Sequence, residues 1–331
     1  MTDLVTGATG YLGGALALKL RQQGRSVRAL VRPGAKVKAL ADAGIELFEG
    51  QLTQRDDVLA ATQGCERVFH LAAVFRTAGH PDAHYHDVNV GGTQNVLDAA
   101  HETGCARVVH CSTGGVHSHI ARPPAAEDYP VGADDVYQRS KWEGEKLAHA
   151  AMANGQPVTV FRPGAIYGPG DDRLLKLFRA IRQRRFRMIG PGQVRLHLAY
   201  VDDLVDGVVL LGTRPEALGE IFLLAGPDAP TLTQLTTHIA QAVGVSLKRG
   251  RIPLLPVKIA ATLCEALCVP FGIDPPLHRR RVGFFTHHRE FDLTKAQEKL
   301  GYTPRVNAAQ GIQQTAQWYA QKGWIDPPPS P

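Results

Sequence analysis

Along the first half of the chain, short apolar runs alternate with stretches whose apolar residues recur every three or four positions. The runs at 4–5, 27–31, 46–48, 67–71, 107–111 and 158–161 predict strands. The stretches at 13–23, 37–43, 56–62, 93–103 and 136–153 predict helices. Strands that alternate with helices need right-handed crossovers, so the sheet should be parallel. Ligands of such sheets sit beyond the carboxyl ends of the strands. The expected fold is α/β, a Rossmann-like doubly wound parallel sheet with a smaller C-terminal substrate-binding portion.

After Tyr167-Gly-Pro-Gly-Asp171 the alternation loosens. A basic helix is predicted at 174–186, then a segment at 200–211 that packs back on the sheet. A strand at 221–224, a helix at 232–243 and a proline-punctuated tail ending in a helix at 308–322 follow. The expected division is a nucleotide-binding domain at 1–168, with 198–225 returning to it. Residues 169–197 and 226–331 then form the substrate-binding portion.

Composition is that of an ordinary globular protein, 44% hydrophobic and 21% charged over 331 residues. The net charge of +6 is mild, and apart from runs at 182–187 and 278–281 the basic residues are scattered, which excludes a dedicated nucleic-acid binder. The 182–187 run reads as a solvated helix face or a phosphate wall. Five cysteines with no C-x-x-C pair argue against a disulfide framework or a structural zinc site. Cys264 and Cys268 are expected to be small buried side chains. A first strand starting near Met1 leaves no room for a secretory signal, so a cytoplasmic location is expected. The stretch 252–271 could span a membrane by length, but it holds Pro253, Pro256, Pro270, Lys258 and Glu265. Lys258, Thr262 and Glu265 share one stripe at helical spacing, which predicts an amphipathic helix that covers a pocket or touches a membrane surface, not a span.

Candidate chemistry begins at Thr6-Gly-Ala-Thr-Gly-Tyr-Leu-Gly13. Gly7 permits a tight turn, Gly10 lets backbone approach a pyrophosphate, and Gly13 allows close helix–strand packing. Thr9, Tyr11 and Leu12 belong to the same loop. The second strand ends in Val31-Arg32 without the acid that binds an NAD ribose. Arg32, assisted by Lys36 and Lys38, suits a 2′-phosphate, which favours NADP(H) over NAD(H). Tyr137 and Lys141 are four apart on a predicted helix, where a cation beside a phenol lowers its pKa and makes it useful as an acid or base. Ser112 and Thr113 lie on a turn at a strand's carboxyl end, where a hydroxyl can donate to a substrate oxygen.

With these motifs the chain resembles the extended short-chain dehydrogenase/reductases, the superfamily that also holds nucleotide-sugar epimerases and dehydratases. The resemblance rests on the glycine loop, Phe69-His-Leu-Ala-Ala73, Asn89-Val-Gly-Gly-Thr-Gln-Asn95, Cys111–Thr113, Tyr137–Lys141, Arg162-Pro-Gly-Ala-Ile-Tyr-Gly-Pro-Gly-Asp171 and Tyr200-Val-Asp-Asp203. It implies that Tyr137 is the catalytic acid/base and that Lys141 is its partner and ribose ligand. Thr113 takes the catalytic hydroxyl position, with Ser112 beside it, and Asn89 sits at a helix distortion that organises the lysine. Leu71, Ala72 and Ala73 would line the adenosine side and Pro163 the carboxamide. Gln51 and Leu52 stand where the family has an adenine-contacting Asp-Leu, so an amide replaces the acid. A homodimer is also implied.

Many nucleotide-sugar members resemble Arg-Asp-Phe just before Tyr-Val-Asp-Asp; here Leu196 and His197 take the first two places. The tail resembles bacterial relatives of 3β-hydroxysteroid dehydrogenase and dihydroflavonol reductase. This implies hydride transfer to or from a hydrophobic carbonyl or alcohol that is sterol-like, flavonoid-like or 3-keto acid-like. The helix at 256–269, with Phe284 and Phe285, would wall its pocket. The alternatives are a nucleotide-sugar 4-epimerase or dehydratase with transiently reduced NAD, and a non-catalytic dinucleotide sensor. His80, His84, His86, His117 and His119 lack acidic or cysteine partners at ligand spacing, so no metal is expected, although His117 and His119 follow the catalytic turn closely enough to suggest substrate contact. Asp202 and Asp203 read as a helix start.

Overall fold

The computed structural model describes residues 2–75, 81–248, 250–268 and 279–326. In the first half, β1 (Thr2–Thr6), α1 (Tyr11–Gln22), β2 (Ser26–Val31), α2 (Lys38–Asp42), β3 (Glu46–Glu49), α3 (Arg55–Thr62) and β4 (Cys65–His70) alternate. Then come α4 (Asp82–His86), a π-turn (Asp87–Gly91), α5 (Gly92–Glu102), β5 (Arg107–Cys111), a 3₁₀ turn (Gly114–His117), α6 (Val136–Ala153) and β6 (Val158–Pro163). The second half holds β7 (Ala165–Tyr167), α7 (Leu175–Arg182), β8 (Met188–Ile189), β9 (Leu198–Tyr200), α8 (Val201–Thr213) and β10 (Ile221–Leu224). It ends with α9 (Leu232–Ala242), β11 (Arg251–Ile252), α10 (Leu254–Cys268), α11 (Arg279–Thr286), α12 (Thr294–Leu300) and α13 (Ala308–Gln321).

Seven strands form one parallel sheet in the order β10-β6-β5-β4-β1-β2-β3. The chain builds outward from β1 to β3 and then from β4 to β6, so its direction switches between β1 and β4, where a crevice opens at the carboxyl ends. Register aligns Thr6 with His70, His70 with His110 and His110 with Val160. The segments after β1, β4, β5 and β6 therefore emerge side by side. The returning α8 packs on α1 and β5.

Burial follows these layers. Leu16, Leu20, Phe69, Val109, Phe161 and Phe222 share the core on the α1 and α8 side. Leu4, Val68, Val96, Val108 and Val160 fill the opposite face under α3, α5 and α6. A further core away from the sheet gathers Phe178, Leu232, Ile239, Ile312 and Tyr319 from α7, α9 and α13.

Two expectations need correction, while the helix distortion implied at Asn89 is present as the π-turn: the Asn89 carbonyl accepts from Thr93 Oγ1 at 2.7 Å, and Gly144 approaches it so closely that a Cβ there would lie 2.5 Å from it. The basic helix stops at Arg182 because Arg184 adopts a left-handed φ of 56°. Cys264 and Cys268, on the same side of α10 as buried Ala261, are only partly covered.

The closest packing in the sheet's cofactor corner lies between the first loop and α1. A Cβ on Gly13 would sit 2.2 Å from the Gly7 carbonyl oxygen and 2.6 Å from its carbon, both backbone atoms that cannot swing aside. Gly13→Ala should therefore destabilise the fold by about 1–3 kcal/mol. Thermal unfolding should register this as a drop of roughly 2–8 °C; an unchanged melting temperature would refute the close packing.

Candidate active site

The loop after β1 has the shape that a dinucleotide's pyrophosphate needs. Gly7 has φ +77°, and a Cβ there would meet the Ala72 backbone nitrogen at 2.7 Å, so the loop lies directly against the segment leaving β4. Gly10 N–H donates to the Gly7 carbonyl at 2.9 Å and caps α1 with no side chain in the way. Thr9 and Gly10 are exposed, and the first turn of α1 carries no acidic residue. The helix's first N–H groups have no partner within the helix, so they and its dipole favour an anion there. These residues fit the cofactor, with Tyr11 and Leu12 beginning the helix and Leu71, Ala72 and Ala73 on the facing segment.

A buried imidazole braces this corner. Thr6 Oγ1 and His70 Nδ1 are 2.8 Å apart, and His70 Nε2 and Thr93 Oγ1 are 3.0 Å apart. Because Thr93 already donates to the Asn89 carbonyl, it must accept from His70, so the proton sits on Nε2 and Nδ1 accepts from Thr6. Burial, then nearby Lys141, lowers the His70 pKa to about 3 and keeps the ring neutral.

From the π-turn, Asn89 Nδ2 donates to Ser140 Oγ at 2.9 Å, and its Oδ1 accepts from the Val74 N–H at 2.7 Å. Asn89 thus ties the segment after β4 to the residue before Lys141. Helix α6 starts with a capping box: Asp135 accepts from the Gln138 N–H, and the Gln138 side chain accepts from the Asp135 N–H. The cap places Tyr137 in the first turn and Lys141 one turn later, both buried. Lys141 Nζ donates to the Cys111 carbonyl at 2.6 Å, at the end of β5. Burial pulls its ammonium below the usual lysine range, and Cys111 and Glu145 act in the opposite direction.

The two hydroxyls after β5 have different surroundings. Ser112 is buried and donates to Glu145. Thr113 is partly exposed and accepts from the Gly115 N–H at 3.1 Å, capping the 3₁₀ turn. Its hydroxyl hydrogen is therefore available for a substrate, whereas that of Ser112 is committed to the interior. Pro163 ends β6 on the neighbouring edge and is buried.

Residues 4–225 match the model of the NAD dependent epimerase/dehydratase family. The chain belongs to this family. It is thus an extended short-chain dehydrogenase/reductase, as its motifs imply, within a family of NAD-dependent oxidoreductases, epimerases and dehydratases. It is 33% identical over 322 residues to 4-hydroxy-2-methyl-3-oxo-4-farnesyl-3,4-dihydroquinoline-1-oxide ketoreductase of Stigmatella aurantiaca, covering 94% of this chain and 95% of that one. It is 29% identical over 325 residues to 2-alkyl-3-oxoalkanoate reductase of Stenotrophomonas maltophilia, covering 94% and 97%. Among solved structures, that of gox2253 superposes with a TM-score of 0.84 at 28% identity, covering 98% and 99%.

In this family member, several residues that the motifs did not single out organise the site. Glu145, one turn beyond Lys141, is fully buried. It pairs with Arg162 of β6 at 2.6 Å, accepts from Ser112, and lies 3.1 Å from His149 Nε2. Burial alone would raise its pKa, but hydrogen bonds from His149, Arg162 and Ser112 outweigh it and hold the carboxyl at about 2. Arg162 also donates to the Glu127 carbonyl at 2.7 Å and to His117 Nε2 at 3.1 Å. His117 donates through Nδ1 to the Pro130 carbonyl at 3.2 Å, so this buried ring props the turn and does not face substrate. An acid on the buried face of α6, in register with Tyr137 and Lys141, was the signal for this network.

At the open side, the Phe75 ring meets Tyr137 edge-on at 5.0 Å. The Arg173 guanidinium lies 5.9 Å from the Phe75 ring centre and 5.3 Å from that of Tyr11, linking the glycine loop to the side of Tyr137. Arg32 and Lys36 are exposed and make no side-chain hydrogen bond or ion pair among the described residues, whereas Lys38 is paired with Asp42 at 2.8 Å. Gln51 is exposed, and Leu52 packs against Gly92. His119 stands beside His287 and His288, with ring centres 5.3 and 6.0 Å away. His84 and His86 are on α4, and His80 lies outside the described residues. No group of three metal-ligating side chains forms among the described residues. Asp202 and Asp203 begin α8, where buried Asp203 accepts from the Arg305 and Val306 N–H groups.

Glu145 makes stability depend on acid pH. Its folded pKa of about 2 lies below the ordinary value of 4.5, so its contribution is complete above 4.5 and is lost as pH falls toward 2. The amount is on the order of 3 kcal/mol. Glu145→Gln should cost about 3–5 kcal/mol at neutral pH, by leaving Arg162 without its counter-charge, and should flatten the acid limb. Urea unfolding across pH checks this; a variant that keeps the wild-type acid slope would contradict it.

Proposed function

We infer that this enzyme transfers a hydride between NADP(H) and a carbonyl or secondary alcohol on a hydrophobic substrate that is sterol-like, flavonoid-like or 3-keto acid-like. The observation that carries this reading is that Lys141 is held at the end of β5, beside the turn that bears Thr113. Tyr137 and Lys141 share the buried side of α6, Lys141 is fastened to the end of β5, and two residues further on Thr113 has the uncommitted hydroxyl. When bound, the nicotinamide supplies or accepts the hydride. In the reducing direction the Tyr137 hydroxyl gives its proton to the substrate oxygen, and Thr113 donates a hydrogen bond to the same atom. Lys141 has three N–H donors, one of which is held by the Cys111 carbonyl. The others serve the phenolate of Tyr137 and the cofactor ribose. Asn89 acts as a positioning residue through Ser140.

Arg32 and Lys36, uncommitted at the end of β2, support the preference for a 2′-phosphate. The portion at 169–197 and 226–331 is assigned to substrate binding. A nucleotide-sugar reaction is disfavoured by Leu196 and His197, which are both buried. His197 accepts from the Phe291 N–H at 3.1 Å, donates to the Gly226 carbonyl at 2.8 Å and stacks on Phe291. Neither residue offers a diphosphate a charge. Two relatives, a ketoreductase for a farnesyl-bearing 3-oxo compound and a 2-alkyl-3-oxoalkanoate reductase, lend weight to a ketone on an apolar molecule.

Tyr137→Phe should lower kcat for 3-oxo substrates by about 10²–10⁴-fold. Its NADPH affinity, read by fluorescence titration, should stay within about twofold of wild type, because the phenol acts on the substrate oxygen. Turnover close to wild type would exclude Tyr137 as the acid.

A further inference from the structure

Helix α10 turns its apolar side away from the protein. Leu255, Ile259, Leu263 and Leu267 are 68, 53, 58 and 68% exposed, although each is large and aliphatic. At four-residue spacing they sweep an arc of about 120°. Pro256, Ala260 and Ala266, also exposed, fall within or beside this arc, so no charged residue interrupts it. Lys258 and Thr262 line one margin, and Ala261 faces inward, fully buried. Ile252, in the adjoining β11, is a further exposed apolar side chain, at 39%. A contiguous patch of this kind marks an interaction surface.

Charge indicates what covers it. Residues 248–281 carry seven Lys and Arg against two acidic residues, so this segment supplies five of the chain's six net positive charges. Two copies meeting through α10 would bring like charges together, whereas an anionic lipid surface would complement them. No helix of the described residues is long and apolar enough to cross a membrane. An arc of leucines bordered by the Lys258–Thr262–Glu265 stripe, within a segment of net positive charge, suits a helix lying in the interface plane. The helix also lies near the candidate active site: α10 packs on α11, and His287, just beyond α11, stands 5.3 Å from His119, which follows the Thr113 turn.

We propose that α10 is a peripheral membrane-docking helix that seats this enzyme on anionic bilayers through Leu255, Ile259, Leu263 and Leu267. The proposal does not depend on which carbonyl is reduced. The test is co-sedimentation of the full chain with phosphatidylcholine vesicles, with and without roughly 30 mol% phosphatidylserine. Binding should be stronger by about tenfold with the anionic lipid and should weaken as salt is raised. Ile259→Asp with Leu263→Asp should reduce binding by about tenfold or more, with melting temperature and activity on a water-soluble ketone retained because both side chains are exposed. Leu263→Trp supplies a second reading, since brominated lipid should quench its added fluorescence. Absence of vesicle binding, equal binding by the double variant, or no quenching would each overturn the proposal. So would a double variant that only converts a dimer to a monomer, because α10 would then be a contact between copies.

Discussion

The buried Glu145 carboxylate receives Ser112 from the end of β5 and Arg162 from β6, both out of water, and stands beside the partly exposed His149 of its own helix. A charge buried this deeply is tolerable only when every lone pair has a partner, so its partners' positions are strongly constrained. Glu145 is one turn from Lys141 and two from Tyr137, and its clamp sets where these two side chains stand above the sheet. Ser112 is held inside by the same contact, which leaves Thr113 as the hydroxyl facing outward. Arg162 extends the constraint through His117 to the turn that follows Thr113.

The sheet does the corresponding work for the cofactor. Parallel register lines up Thr6, His70 and His110 in adjacent strands, so the glycine loop, the Leu71–Ala73 segment and the Ser112–Thr113 turn leave the sheet at one level. His70 then links the first loop to Thr93, and Thr93 to the Asn89 carbonyl in the π-turn. A dinucleotide laid along this edge would reach from the start of α1 to Lys141 across a surface whose backbone approaches are set by Gly7, Gly13 and Gly144.

Much of this could be read in the sequence because it is written in local patterns. The strand and helix alternation of the first half recurs in the structure, including the helix at Val136–Ala153, because each apolar run is matched by turn residues at its ends. The placement of Tyr137 and Lys141 on one helix, and of the glycine loop between β1 and α1, was legible from spacing and position. The Glu145–Arg162–His117 network was not, since it joins residues 17 and 45 positions apart that meet only when β5, β6 and α6 pack. The distortion at Asn89 was implied by the resemblance, but its cause was not, because the approach to the Asn89 carbonyl comes from Gly144 of another helix. In α10 the stripe of Lys258, Thr262 and Glu265 predicted an amphipathic helix, but the sequence could not say which side of it would face the protein.

The central claim is that Tyr137, Lys141 and Thr113 serve a net transfer of hydride to a ketone, and not a transient oxidation within a sugar. Supplying NADPH deuterated at both C4 positions of the nicotinamide, with a 2-alkyl-3-oxoalkanoate or another apolar ketone, tests this most directly. The account predicts one deuterium per turnover at the new carbinol carbon, with an equal amount of NADPH consumed. Turnover of a nucleotide sugar with no net consumption of cofactor, and no label in any ketone product, would contradict it.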